Sequence, residues 1–199
     1  MMKKLLLATL LCLACALPVT AAQGPYLGFG GGLSMNHDAD IKISGLGSAE
    51  VEYDPGYGFN LAGGYNLDPV RLEAEFAYRV ADVDKVSGPG GSSGVSGADL
   101  TTMSYMANVY YDVETRSPVK PFFGVGLGMI NGEIDDNGDN LDDTVLGYQF
   151  TLGMTGRVDK NVSLDCYYRF QGVTEDFEQY GAKLEYTNSS VFVGFRFNL

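Results

Sequence analysis

Val191-Phe192-Val193-Gly194-Phe195-Arg196-Phe197-Asn198-Leu199 alternates with a period of two. Val191, Val193, Phe195, Phe197 and Leu199 share one face. Gly194, Arg196 and Asn198 fall on the other, with Phe192 the one large apolar residue among them. A period of two is the signature of a strand with unlike faces. In a soluble sheet the apolar face turns into a core. In a membrane barrel it turns outward to lipid and the polar face lines the lumen. The segment alone fits either, so the choice rests on whether the pattern recurs.

It recurs seven times upstream, at residues 26–35, 56–65, 70–79, 101–112, 121–130, 145–157 and 162–171. Residues 70–79 show it most fully: Val70, Leu72, Ala74, Phe76 and Tyr78 alternate with Arg71, Glu73, Glu75, Ala77 and Arg79. In 26–35 and 121–130 the second face is mostly glycine, which weakens an isolated strand but makes room inside a narrow barrel. Short turns are expected near Asn66-Leu67-Asp68-Pro69, Arg116 to Lys120 and Asp159-Lys160-Asn161, the first and last on turn chemistry. The intervening stretches, about 36–54, 80–100, 131–144 and 172–188, are long, polar and acidic and read as loops. Ser87-Gly88-Pro89-Gly90-Gly91-Ser92-Ser93-Gly94 within them reads as a flexible loop. A domain linker there is disfavoured because the same strand pattern continues on both sides. Eight strands joined alternately by long loops and short turns predict an all-β fold, an eight-stranded antiparallel up-and-down transmembrane β-barrel. A soluble lipocalin-like barrel has the same strand count, but would put the glycine faces on the surface and crowd the aromatics into its core.

The chain opens Met1-Met2-Lys3-Lys4, runs apolar from Leu5 to Leu17, breaks at Pro18 and ends the leader on Val19-Thr20-Ala21-Ala22. That is the layout of a secretory signal peptide, residues 1–22, with cleavage after Ala22, or next after Ala21. A lipoprotein reading through Cys15 is the weaker alternative. Residues 23–199 are then one barrel domain. Cys12 and Cys15 leave with the leader, so Cys166 has no intramolecular partner. Lys3 and Lys4 leave too; 11 of the 13 basic residues then face 25 acidic ones, a net charge of −14. So acidic a chain excludes a nucleic-acid partner. No later apolar run is long enough for a transmembrane helix.

Pro25-Tyr26-Leu27-Gly28-Phe29-Gly30-Gly31-Gly32, Pro121-Phe122-Phe123-Gly124-Val125-Gly126-Leu127-Gly128, Gly147-Tyr148-Gln149-Phe150 and the terminal strand together resemble a known family. It is the small eight-stranded outer-membrane β-barrel family that includes the opacity-type proteins and OmpA-like barrel domains. The resemblance covers the mature chain. It implies a bacterial outer-membrane location and a monomer among lipid and lipopolysaccharide. It also implies an assembly signal in Phe195, Phe197 and Leu199, read by the barrel-insertion machinery; Leu199 stands where the family usually ends on an aromatic residue.

Alternation predicts a lumen holding Arg71, Glu73, Glu75, Arg79, Asp112, Arg157, Asp165, Arg169 and Arg196. Five positive and four negative charges should pair across it, because unpaired burial is costly. Arg71, Asp112, Arg157, Asp165 and Arg196 belong near the periplasmic end, with Arg79 and Arg169 higher. A structural plug is the expected role, a gated ion path the alternative. Enzyme chemistry is not expected. His37 has Ser34 before it and Asp38 after it, without the His-x-Ser pattern of lipid A deacylases, and reads as a loop residue. Neither a Gly-x-Ser-x-Gly elbow nor a His-Glu-x-x-His motif occurs. Asp135, Asn137 and Asp139 open like a calcium loop, but Gly138 is one position early and no Glu closes it, so no metal and no cofactor are expected. The expected function is a structural or surface-interaction role in the cell envelope. A small porin is the alternative, and a lipid A-modifying enzyme comes third.

Overall fold

Leu27 pairs with Phe197 and Phe29 with Phe195 across an antiparallel seam that joins the first strand to the last. In this computed structural model, which describes residues 23–37, 39–43, 47–53, 55–88, 91–94, 99–136, 139–174, 177–179, 182–184 and 186–199, that seam closes a barrel. Its strands are β1 (Gly24–Asn36), β2 (Gly56–Asn66), β3 (Val70–Gly88), β4 (Asp99–Asp112), β5 (Val119–Asp136), β6 (Asp139–Arg157), β7 (Val162–Val173) and β8 (Thr187–Asn198). Each pairs antiparallel with the next, and β8 returns to β1. Closure pairs the backbone N–H and C=O groups around the whole wall, which a bilayer demands because its interior offers no water to bond them.

The side chains sort as the alternation requires. Leu27, Leu33, Leu61, Leu127, Leu152 and Met154 stand out from the wall, each more than half exposed. Tyr26, Arg71, Gln149, Arg169 and Phe192 point inward and are almost completely covered. A wall this apolar on the outside has lipid as its natural solvent. Cys166 is exposed on this outer wall.

Short turns join the strands at one end. In the first, the Asp68 N–H donates to Asn66 Oδ1 at 2.9 Å and the Leu67 N–H donates to the Val70 carbonyl at 2.7 Å. Asp68 takes φ +33°, a left-handed conformation that Asp tolerates better than most residues, ahead of a cis Asp68–Pro69 bond.

At the other end the strands run further than their apolar pattern. β3 continues to Gly88, and Lys85 to Gly88 pair with the short strand Gly91–Gly94, so the Gly/Ser stretch expected to be a flexible loop is largely a hairpin. β5 and β6 carry their pairing up to Asp136 and Asp139. The stretches after β1 and β7 hold short strands at Ala39–Ile43, Gly47–Tyr53, Phe177–Gln179 and Ala182–Leu184, which form a sheet continuous with the top of β3. Above the membrane a ladder needs no apolar face, only a partner for its amides. That is why the polar sequence hid these strands. Residues 1–22, expected to be a signal peptide, lie outside the described residues, as do Asn137 and Gly138 of the calcium-like stretch.

Candidate functional site: the lumen and its rims

The lumen is layered. At the short-turn end it opens as a vestibule of about 660 Å³ lined by Asp112, Lys120, Arg157, Lys160 and Arg196 among others. Arg157, at the end of β6, reaches only this vestibule and makes no ion pair among the described residues.

Two ion pairs between neighbouring strands roof the vestibule. Arg196 of β8 lies 3.2 Å from Asp165 of β7, and its Nη2 donates to Thr155 Oγ1 at 3.0 Å. Arg71 of β3 grips Asp112 of β4 at both carboxylate oxygens, Nε at 3.0 and 2.9 Å and Nη2 at 2.9 Å. The flat guanidinium of Arg71 also lies over the rings of Tyr110 and Phe122, at 4.7 and 4.8 Å from their centroids. Arginine suits this position because one planar group can fork a carboxylate and stack on rings at once.

Next comes an aromatic layer that the sequence reading did not emphasise. Tyr110, Phe122, Tyr167 and Phe192 form one buried cluster; Phe122 meets Tyr110 edge-on at 5.8 Å, and Tyr167 stacks on Phe192 at 5.7 Å. All four fall on the inward face by alternation. The expectation that rings face lipid and glycines face the lumen obscured them. The glycines are what admit them. A Cβ on Gly153 would sit 2.5 Å from Phe122 Cζ and 2.6 Å from Tyr167 Cβ.

Within this layer Arg169 of β7 crosses to Glu75 of β3, Nη1 to Oε1 at 2.7 Å. The remaining donors of Arg169 go to Thr151 Oγ1 and the Tyr110 hydroxyl, each at 3.3 Å. Glu75 also accepts from Asn60 Nδ2 at 2.7 Å and from Gln149 Nε2 at 3.4 Å. Glu73 accepts from the Tyr26 hydroxyl at 2.9 Å and Asn108 Nδ2 at 3.2 Å rather than from an arginine. Asn60, Asn108, Gln149 and Gln171 were not expected as network members. They join the Arg169–Glu75 pair to Glu73, with Gln149 donating to Glu75 and, at 2.7 Å, to Asn108, which donates to Glu73, and with Gln171 donating to Gln149 at 3.1 Å. The central cavity left among these groups is about 40 Å³, room for a few waters.

Higher still, Arg79 is buried and, among the described residues, makes a single hydrogen bond, Nη1 to Ser104 Oγ at 3.2 Å. It faces Phe192, 5.9 Å from the ring centroid. Ile130 and Tyr186 pack together above, with Val145 and Val173 against them. The structure thus brings Arg71 to Asp112, Arg169 to Glu75 and Arg196 to Asp165. It leaves Arg79, Glu73 and Arg157 outside those pairs.

The outer rim holds a second arrangement. His37 lies one residue past β1, but its ring reaches across the seam: Nε2 is 2.8 Å from Ser189 Oγ on β8. The two residues are 152 positions apart in sequence, so no spacing signal could have joined them. Among the described residues no cluster of His, Cys, Asp and Glu has the form of a metal site.

The fold has known counterparts. The structure of Neisserial surface protein A matches with a TM-score of 0.60 and 22% identity, over 88% of this chain and 97% of that one. OprG from Pseudomonas aeruginosa matches at 0.59 and 14%, over 87% and 96%. The outer membrane protease OmpT from Escherichia coli matches at 0.52 and 10%, over 92% and 99%. At these identities the likeness is one of fold. A comparison with curated proteins finds no match. The family model for the outer membrane protein β-barrel domain matches residues 5–197, so the chain belongs to that family, in the bacterial outer membrane.

Proposed function

We propose that the protein is a non-conducting outer-membrane anchor that displays an acidic external sheet for surface interaction. The observation that carries this reading is the filled lumen. The Arg71–Asp112 and Arg169–Glu75 pairs, interleaved with Tyr110, Phe122, Tyr167 and Phe192, leave about 40 Å³ at the centre. A hydrated ion needs a continuous aqueous path, and eight strands give a bore that side chains can fill. The small-porin alternative would have to break the Arg169–Glu75 pair and displace an aromatic layer at once.

The outward end supplies the other half. Residues 37–55, 80–100, 131–144 and 174–186 hold 18 of the 25 acidic residues against three lysines. Such a surface favours cationic partners, or divalent cations shared with the phosphates of surrounding lipopolysaccharide, and repels polyanions. The terminal residues Phe195, Phe197 and Leu199 serve the insertion machinery, and the barrel works as a monomer.

Planar bilayers test the first half. The purified barrel should insert without steady conductance; open steps that vanish in Arg169→Ala would overturn the reading. A deletion strain, scored for adhesion to cationic surfaces at low and high salt, tests the second half. Adhesion indifferent to both the deletion and salt would remove it.

A further inference from the structure

Ser189 has the outward parity of the exposed Val191 and Val193 on β8, but is itself buried, 6% exposed, where the side chains of His37 and Tyr168 meet it. It pairs across the seam with the exposed Met35 and, on its other side, with Phe170. Its Oγ is 2.8 Å from His37 Nε2 and 2.8 Å from the Tyr168 hydroxyl. The His37 N–H donates to the Thr187 carbonyl at 3.0 Å, which ties the residue to β8 and holds the imidazole against Ser189. The donor count closes in one direction: Tyr168 O–H donates to Ser189 Oγ, and Ser189 O–H donates to His37 Nε2 when Nδ1 carries the ring proton.

The depth of this trio matters as much as its geometry. Below Ser189 the wall is apolar; at its level stand the rings of His37, Phe170 and Tyr148, with centroids 6.4 and 6.5 Å apart in turn. The long-loop end of such a barrel faces out of the cell. An aromatic rim there marks the outer membrane–water interface, where the polar ends of acyl chains lie.

We propose that Ser189 and His37 form a nucleophile and base that cleave carboxylic esters of long acyl chains in the outer leaflet. Ser189 Oγ attacks the ester carbonyl while His37 Nε2 takes the hydroxyl proton. The Tyr168 hydroxyl, released from Oγ, turns to the oxyanion. Collapse breaks the bond to the alcohol oxygen, which leaves with the proton from His37. Interfacial water, deprotonated by His37, then attacks the acyl-serine; the fatty acid leaves and the proton returns to Ser189. One ester and one water become one acid and one alcohol. The sealed lumen takes no part, so this activity goes beyond the anchoring role. Among the described residues no carboxylate meets His37 Nδ1, so slow turnover is expected and covalent capture is the sensitive readout.

The test uses the full chain in outer-membrane vesicles and after reconstitution. A long-chain fluorophosphonate should label Ser189, located by peptide mass spectrometry. Labelling should be absent in Ser189→Ala and about 100-fold or more slower in His37→Gln. Tyr168→Phe should slow it less. Release of fatty acid from phosphatidylethanolamine vesicles or from lipid A vesicles distinguishes a glycerol ester from a sugar ester. Heat-shifted electrophoretic mobility reports that each variant has folded, and His37→Gln lies on the exposed rim, where folding is least disturbed. Folded wild type that neither labels at Ser189 nor releases acid from either lipid overturns the proposal. So does labelling without release, or release that persists in Ser189→Ala.

Discussion

Arg169 and Glu75 meet at 2.7 Å from β7 and β3, strands that stand opposite each other in a ring of eight. The other two lumen pairs join neighbouring strands, so this one alone of the three ties the two walls together. Both side chains are essentially fully buried. Removing either partner strands the other charge in a low-dielectric interior, at a cost of about 3–5 kcal/mol. Arg169→Met and Glu75→Gln should therefore each lower the urea midpoint clearly. The double variant should recover part of the loss, because it leaves no bare charge. The chain has no tryptophan, so unfolding is best followed by far-UV circular dichroism. Additive losses in the double variant would show that the two groups do not act as a pair.

Arg79 gives the opposite expectation. It is as buried as Arg71, yet it has one hydroxyl partner and no carboxylate within ion-pair distance among the described residues. Its stem passes close to Gly58 and its head faces Phe192. An isosteric apolar side chain keeps that packing and removes the desolvated charge. Arg79→Met should leave the urea midpoint unchanged or raise it. A loss as large as that of Arg169→Met would mean that Arg79 is held by a partner of its own.

Two glycines of β6, Gly153 on the inner face and Gly156 on the outward parity of Leu152 and Met154, can be separated by what they touch. A Cβ at Gly153 would press on Phe122 and Tyr167, whereas one at Gly156 meets nothing within 4 Å. Gly153→Ala must displace the aromatic layer, at about 1–3 kcal/mol, the range for overpacking. Gly156→Ala should be close to neutral. Comparing the two folded fractions by heat-shifted mobility checks this directly, and equal behaviour would show that the layer yields easily.

How far the sequence could be read follows from which forces each part obeys. The wall was legible because lipid imposes one rule on every strand, and Val70 to Arg79 shows it with Ala77 the one apolar residue on the inward face. Arg71, Glu75, Arg79, Arg169 and Arg196 are buried on the face that alternation assigns them, but parity does not choose a partner. Arg71 chooses Asp112, and Arg169 chooses Glu75, by register and by how far each side chain reaches across the bore. Phe192 and Phe122 broke the polar-inside expectation because a narrow lumen also gains by packing rings over arginines. The strands above the membrane were hidden for the reverse reason: outside the bilayer the ladder continues without an apolar stripe. Ser189 was hidden because its partner His37 lies at the far end of the chain.

The terminal strand is held at both edges. Phe195 and Phe197 lie 5.8 and 5.9 Å from the ring of Phe29. The Asn198 N–H donates to the Asn161 carbonyl at 2.9 Å, and the Leu199 N–H to the Pro25 carbonyl at 3.0 Å. Removing residues 193–199 would cut the Leu27–Phe197 and Phe29–Phe195 pairings and leave facing edges of β1 and β7 open in lipid, where unpaired amides are not tolerated. Such a truncation should abolish insertion, read as loss of the heat-shifted band from the outer-membrane fraction. Phe197→Ala removes one ring of the proposed assembly signal while keeping the backbone ladder, so it should slow assembly in cells more than it lowers the stability of the folded barrel. Leu199→Phe restores a terminal aromatic residue and should assemble at least as fast as the native chain. If Phe197→Ala instead assembles at the native rate but unfolds at lower urea, the ring contributes to the seam with Phe29 and not to recognition.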